Sequence, residues 1–185
     1  MKFTRLEIEG LVIIEPGIIV DLRGCFFESY NQLQFEQNGI HTKFVQDNQS
    51  LSKKNVIRGL HFQVAPYEQG KLVSVIKGKV LDVVVDIRKN SSTFGKQVSV
   101  ELDDINKRIL WIPPGFAHGF AVHQDDTIFF YKCTNFYDKS SEKGIRFNDS
   151  TLKINWGVRS PIVSDKDLRL MNFEEYEKEI KGIGN

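Results

Sequence analysis

Short runs rich in β-branched and aromatic residues recur along nearly the whole chain, each closed by a turn signal. LVIIEP, GIIVDL, KLVSVI, KVLDVVVDI, KQVSVEL, RILWIP and TIFFYKCT are the clearest. They are strand-length segments, too short for ordinary amphipathic helices. In KVLDVVVDIR, period-two alternation puts Asp82, Val84 and Asp86 on one face and Val83, Val85 and Ile87 on the other. KGKV (77–80) and HQDDT (123–127) read as hairpin-type turns. Helical signal is confined to two places. NQLQFEQNG ends at Gly39, and NFEEYEKEIKG (about 172–182) carries Phe173, Tyr176 and Ile180 near helical spacing. Many short strands with few short helices imply an all-β protein, a double-sheet jelly-roll barrel, in one domain over residues 1–185.

A chain of 185 residues suits one domain with a substantial core, and its 14 phenylalanines suit a barrel interior that must be filled. The formal net charge is +1, so no global field draws the protein to nucleic acid or to a membrane surface. Any anion must be held by local arginines and lysines. No apolar stretch is long enough to span a bilayer. The N-terminal segment has acidic residues inside its apolar part and no small-residue cleavage site, which implies a cytoplasmic protein. Cys25 and Cys133 are far apart and form no CxxC pair, as expected of free thiols in a reducing compartment.

Four histidines are present: His41, His61, His118 and His123. His41 and His123 lie in polar, turn-like surroundings and read as solvated bystanders. WIPPGFAHGF contains Pro-x-Gly-x-x-His and resembles the second motif of the cupin superfamily, which puts His118 on a strand after a tight turn. The first cupin motif asks for His-x-His, then a glutamate, then a glycine. Those places hold His61, Gln63, Lys71 and Gly78. A divalent cation wants imidazole and carboxylate ligands, and an ammonium at the carboxylate position repels it. The resemblance therefore implies a cupin-type pocket with no metal and no cofactor. A lone histidine on an apolar strand is more often a satisfied core residue. The charged neighbour shifts that balance, because Lys71 inside a barrel needs a negative partner.

DLRGCFFE, QDNQSLS, NVIRGLHFQ, GKLVSVIKGKVLDVVVDIR, STFG, IPPGFAHGF, YKCTNFY, EKGIRFND and SDKD occur in order over roughly residues 12–168. This series resembles the dTDP-4-dehydrorhamnose 3,5-epimerases. The resemblance implies an isomerase that inverts C3 and C5 of a dTDP-linked 4-keto-6-deoxy sugar through enolates. It implies His61 as general base, Lys71 as enolate stabiliser, Tyr131 as general acid and Asp167 as the carboxylate that orients His61. Asp82 is the alternative partner for His61, since it lies on a strand and could point inward. For the nucleotide and sugar the resemblance implies Arg23, Glu28, Gln46, Asn48, Arg58, His118, Tyr137, Glu142 and Lys166, with Tyr137 stacking on thymine. Read without it, Tyr131 is a packing tyrosine, Lys166 a solvated lysine and Glu142 an exposed loop glutamate. The family also implies a homodimer in which N-terminal strands are exchanged, so that each pocket borrows residues from its partner. LVIIEPGIIVDL fits that role and fits an ordinary internal strand equally.

One conflict is internal. Strict pleating puts Arg58 and His61 on opposite faces, so a shared pocket requires the strand to start after Gly59 or a bulge there. Otherwise Arg58 serves a neighbouring subunit. Asn55, Ser92 and Ser150 depart from the family pattern at turn positions. Three rivals remain on sequence: a single-carbon epimerase of a related keto-sugar, a metal cupin, and a non-catalytic sugar-nucleotide-binding barrel.

Overall fold

Alternating apolar runs can bury two faces each when they pair into stacked sheets, and this chain does so. A computed structural model describes residues 1–182, and the last positions of the expected domain, 183–185, lie outside the described residues. In chain order the elements are β1 (Lys2–Arg5), β2 (Val12–Glu15), β3 (Ile19–Asp21), β4 (Gly24–Phe26), α1 (Gln32–Gln37), β5 (Gln46–Ser52), β6 (Ile57–Gln63) and β7 (Lys71–Lys77). β8 (Lys79–Asp86), β9 (Gln97–Asp103), β10 (Ile109–Ile112), β11 (Phe116–Val122), β12 (Thr127–Cys133), β13 (Glu142–Gly144), α2 (Asp165–Leu168) and α3 (Phe173–Gly182) follow.

One sheet runs β1-β2-β10-β7-β12-β5 and the other β13-β6-β11-β8-β9, with β3 and β4 forming a separate ribbon. The two sheets face each other as a jelly-roll barrel of the cupin type. Val73, Val75, Val84, Leu110, Phe120 and Phe129 fill the space between them. The outer face of the second sheet is covered as well. Val83, Val85, Ile57 and Leu60 pack there under Trp156 and the Phe173 and Tyr176 rings of α3. α1 does the same for the first sheet, with Phe35 over Val12, Ile14 and Trp111. Burial on both sides explains why FAHGFAV in β11 is buried at every position.

The two turns read as hairpins are not hairpins. β7 and β8 belong to different sheets, as do β11 and β12, so KGKV and HQDDT carry the chain across the barrel. Gly78 has φ +89°, and a Cβ there would stand 2.9 Å from the Thr127 Cα, so the two corners pack directly against each other. LVIIEPGIIVDL divides. Its first half is β2, internal between β1 and β10, and its second half enters the β3–β4 ribbon. Asn55 takes a left-handed φ of 70°, which asparagine tolerates better than most residues. Among the described residues no helix is long and apolar enough to cross a membrane.

Candidate active site

β6 and β11 run side by side at one mouth of the barrel. His61 faces His118 across the ladder and Arg58 faces Phe120, so Gly59 and Leu60 together oppose the single residue Gly119. This is a bulge of the kind the pleating conflict required. Leu60 turns out into the α3-side core, while Arg58 and His61 both line one cavity of about 550 Å³. Gly59 makes the bulge possible. Its φ is +119°, and a Cβ on it would lie 2.6 Å from the Gly119 Cα.

α2 closes that mouth. Ser164 caps it by accepting the Asp167 N–H at 3.1 Å, which aims the Asp167 carboxylate at β6. Asp167 Oδ1 lies 2.9 Å from His61 Nε2, and Oδ2 accepts the Gly59 N–H at 3.1 Å. Burial works against the Asp167 charge, but these bonds and the neighbouring imidazole outweigh it and hold the carboxyl below its ordinary range. Asp82 has a different partner. It is fully buried on β8, with Oδ2 2.8 Å from His118 Nε2. Each aspartate has its own imidazole: Asp167 meets His61, and Asp82 meets His118.

Lys71 and Tyr131 reach the same cavity from the opposite sheet. Lys71 opens β7 directly across from Cys133 on β12. Burial pushes its ammonium below the usual lysine value, opposed by the potentials of Cys133, Asp82 and Glu142. Tyr131 is pushed up to about 12, first by burial and then by Cys133 and Glu142, so its hydroxyl keeps its proton at neutral pH. Its ring also packs beside Phe129, 6.0 Å between centroids. An imidazole backed by a carboxylate thus shares one pocket with an ammonium and a protonated phenol. Such a set can take a proton, hold the charge left behind and return a proton.

A second cavity of about 240 Å³ shares His61, Lys71 and Tyr131 with the first and is walled by Gln46, Asn48, Tyr137 and Glu142. Gln46 Nε2 donates to Asn48 Oδ1 at 3.1 Å, and Gln46 Oε1 accepts the Tyr137 N–H at 2.9 Å. Glu142 is not an exposed loop residue. It lies on β13 and accepts from the Tyr137 hydroxyl at 2.8 Å and from Lys166 Nζ at 2.5 Å. Lys166 is therefore not merely a solvated lysine, and it lines the larger cavity. Burial opposes the Glu142 charge, and the Lys166 and Tyr137 bonds hold its carboxyl below the ordinary value.

Two expected residues stand elsewhere. Arg23 lies on the β3–β4 ribbon, paired with Asp21 at 2.5 Å, and Glu28 bonds Asn31 and Gln34 near α1. Neither lines either cavity within one chain. His123 is no solvated bystander, because its Nε2 bonds the Trp156 carbonyl at 3.0 Å. His41 is exposed. Sequence reasoning passed over Ser52, whose Oγ accepts from the Arg58 guanidinium at 3.2 Å, and Ser50, which lines the larger cavity. The signal was the alternation in QDNQSLS, which puts Gln46, Asn48, Ser50 and Ser52 on the inner face of β5.

A jelly-roll barrel with a carboxylate-backed imidazole, a lysine and a tyrosine around one cavity defines an isomerase-type, proton-transferring cupin. The family model described as dTDP-4-dehydrorhamnose 3,5-epimerase matches residues 5–175, and the chain belongs to that family. The dTDP-4-dehydrorhamnose 3,5-epimerase of Shigella flexneri is 52% identical over 94% of this chain and 96% of its own length. A solved dTDP-6-deoxy-D-glucose-3,5-epimerase from Legionella pneumophila, in complex with dTDP-4-keto-L-rhamnose, is 45% identical. It superposes with a TM-score of 0.92, over 97% of this chain and 96% of that one. The dTDP-4-dehydrorhamnose 3,5-epimerase of Bacillus anthracis, solved with TDP and PPi bound, is 42% identical. Its TM-score is 0.91, over 93% of this chain and 99% of that one.

Proposed function

We propose that the protein converts dTDP-4-dehydro-6-deoxy-D-glucose to dTDP-4-dehydro-L-rhamnose by inverting C3 and C5 in turn, without a metal ion. Both carbons flank the C4 ketone, so removing either hydrogen gives an enolate. The observation that carries the reading is the His61–Asp167 pair facing Lys71 and Tyr131 across a single cavity.

With Asp167 accepting from Nε2–H, the His61 Nδ1 lone pair is the base. The C–H bond breaks, its proton goes to Nδ1, and its electron pair passes through carbon to the ketone oxygen. Lys71 faces that oxygen from the cavity wall, and a positive charge drawn partly out of bulk solvent acts more strongly there than in water. Tyr131, on the opposite sheet, gives its phenolic proton to the other face of the carbon. Exchange with solvent then resets both groups before the second carbon reacts. A positioned base typically contributes roughly 10²–10⁴-fold. Lys71 stands where metal-binding barrels of this type carry a carboxylate, and its charge does the work a cation would do.

Tyr137, Gln46, Asn48 and Glu142 make the second cavity suited to the thymine end, with the tyrosine ring stacking on the base. Arg58 and Lys166 supply charge for the diphosphate, and His118 faces the sugar. Arg23 and Glu28 act on the partner's pocket in a homodimer. The exposed apolar side chains of the ribbon support this: Val20 is 75% and Phe26 70% exposed in the single chain.

Incubation with the keto-sugar nucleotide in deuterated water, followed by NMR, tests the reading. Deuterium at C3 and C5 with inversion at both is the expected result. Label at one carbon makes the protein a single-site epimerase, and label at neither makes it a binding module.

A further inference from the structure

Gln63 occupies the place where the metal-binding cupin pattern asks for its second histidine, and the proton-transfer chemistry leaves it unused. It follows His61 by two positions on β6 and so faces the same side. It is 8% exposed. Its amide makes three bonds, all to loop backbone. Nε2 donates to the Tyr67 carbonyl at 2.5 Å and to the Phe136 carbonyl at 3.1 Å, and Oε1 accepts the Asp138 N–H at 2.7 Å.

We infer that Gln63 is a positioning residue for nucleotide binding, holding the backbone on both sides of Tyr137 so that its ring stands over the second cavity. This rests on the reading that Tyr137 stacks on the base. Phe136 and Asp138 are the residues immediately flanking Tyr137, and the Tyr137 N–H is fixed separately by Gln46 Oε1 at 2.9 Å. Tyr137 is half exposed, so these backbone bonds share with its hydroxyl bond to Glu142 the work of placing it. Only a primary amide suits the site. Two carbonyls need two donors and one N–H needs an acceptor, which glutamate, histidine and methionine each fail to provide together. The same pattern fixes the orientation of the amide, because a flipped group would set donor against donor at Asp138. Gln63 on β6 also pairs directly with Glu142 on β13, which holds the Tyr137 hydroxyl, so one stretch of two strands anchors that residue at its backbone and at its tip.

The test is a double-mutant cycle on the full chain, with thymidine diphosphate as the calorimetric probe. Gln63→Ala should weaken binding on the order of ten- to a hundredfold, the loss expected when partly buried backbone groups lose their partners and the loop that carries Tyr137 is released. It should raise KM while leaving kcat at saturating substrate within about twofold. In a Tyr137→Ala background the same substitution should have almost no further effect. Unchanged affinity in Gln63→Ala overturns the inference, and so does an equal loss in the Tyr137→Ala background. Wild-type affinity in Tyr137→Ala alone overturns the stacking reading itself, a separate result. Should Gln63→Ala fail to fold, Gln63→Met keeps the volume, lacks all three bonds and carries the same cycle.

Discussion

Asp167 and His61 lie 106 positions apart in sequence and meet at 2.9 Å, with the aspartate's second oxygen on the backbone of the bulge that turns His61 inward. One carboxylate thus fixes both the imidazole and the strand that carries it. Asp167→Asn keeps the shape but offers an amide that can donate to Nε2, favouring the wrong tautomer. Deuterium incorporation should fall by about 10³–10⁴-fold, measured at saturating substrate, with thymidine diphosphate affinity unchanged. The Asp167 pKa is depressed in the folded state. Its stabilising contribution is present above the ordinary aspartate value and lost as pH falls through the depressed one, and the asparagine variant should lack that acid-sensitive component.

The architecture was legible because strands that line a barrel are written as β-branched and aromatic runs between turn signals: KLVSVI, KVLDVVVDI and TIFFYKCT all became strands. β5 did not announce itself, since its inward side is polar for the cavity and its outward side carries only one apolar residue, the exposed Leu51. The turns KGKV and HQDDT show a different limit. Local turn chemistry is the same whether the next strand pairs beside the last or crosses to the other sheet, and only tertiary packing decides. The pleating conflict at Arg58 and His61 was visible as a conflict, and Gly59 was its sign. The partner of His61 was not fixed by spacing, because a short capped turn after residue 164 brings Asp167 across the fold. Arg23 and Glu28 rest on the motif resemblance alone, and within one chain they pair locally, with Asp21 and with Asn31 and Gln34, and line neither cavity.

Tyr131 is separable from His61 by the fate of the label. On the proposed roles, Tyr131→Phe removes the proton donor on one face while the base on the other remains. The enolate should still form and be reprotonated by His61, so deuterium should enter without inversion. NMR should find exchange within about tenfold of wild type and epimerisation reduced by roughly 10²-fold or more. Equal loss of both would show that the tyrosine acts earlier, in forming the enolate. Because the Tyr131 pKa is about 12, its ionisation should not limit activity below pH 10.

The role proposed for Lys71 sets activity against stability. Burial lowers its pKa, so the folded state disfavours the charged form. The penalty is full below the folded pKa and is relieved as pH rises toward 10.5, the ordinary lysine value. Lys71→Met removes the buried charge and fills the same space. It should abolish exchange and raise Tm by a few degrees at neutral pH, by calorimetry. The gap between the two proteins should narrow as pH approaches 10.5. An unchanged or lower Tm at neutral pH would mean that Asp82, Glu142 and Cys133 already offset the desolvation of the ammonium.

The β3–β4 ribbon gives the dimer proposal a test that does not depend on measuring size. If the ribbon completes the partner's pocket, a chain carrying His61→Ala and a chain carrying Arg23→Ala are each inactive or weak alone. A mixed dimer of the two has one pocket with both defects and one with neither. Random pairing makes half of all dimers mixed, so about a quarter of wild-type activity should return on refolding the two chains together. A variant with both substitutions in one chain, refolded with wild type, controls for dilution. Its mixed dimers carry one defect in each pocket, so little beyond the wild-type homodimers should be active. Absence of recovery from the single variants would overturn the exchange and leave Arg23 to its own chain, where it lines neither cavity.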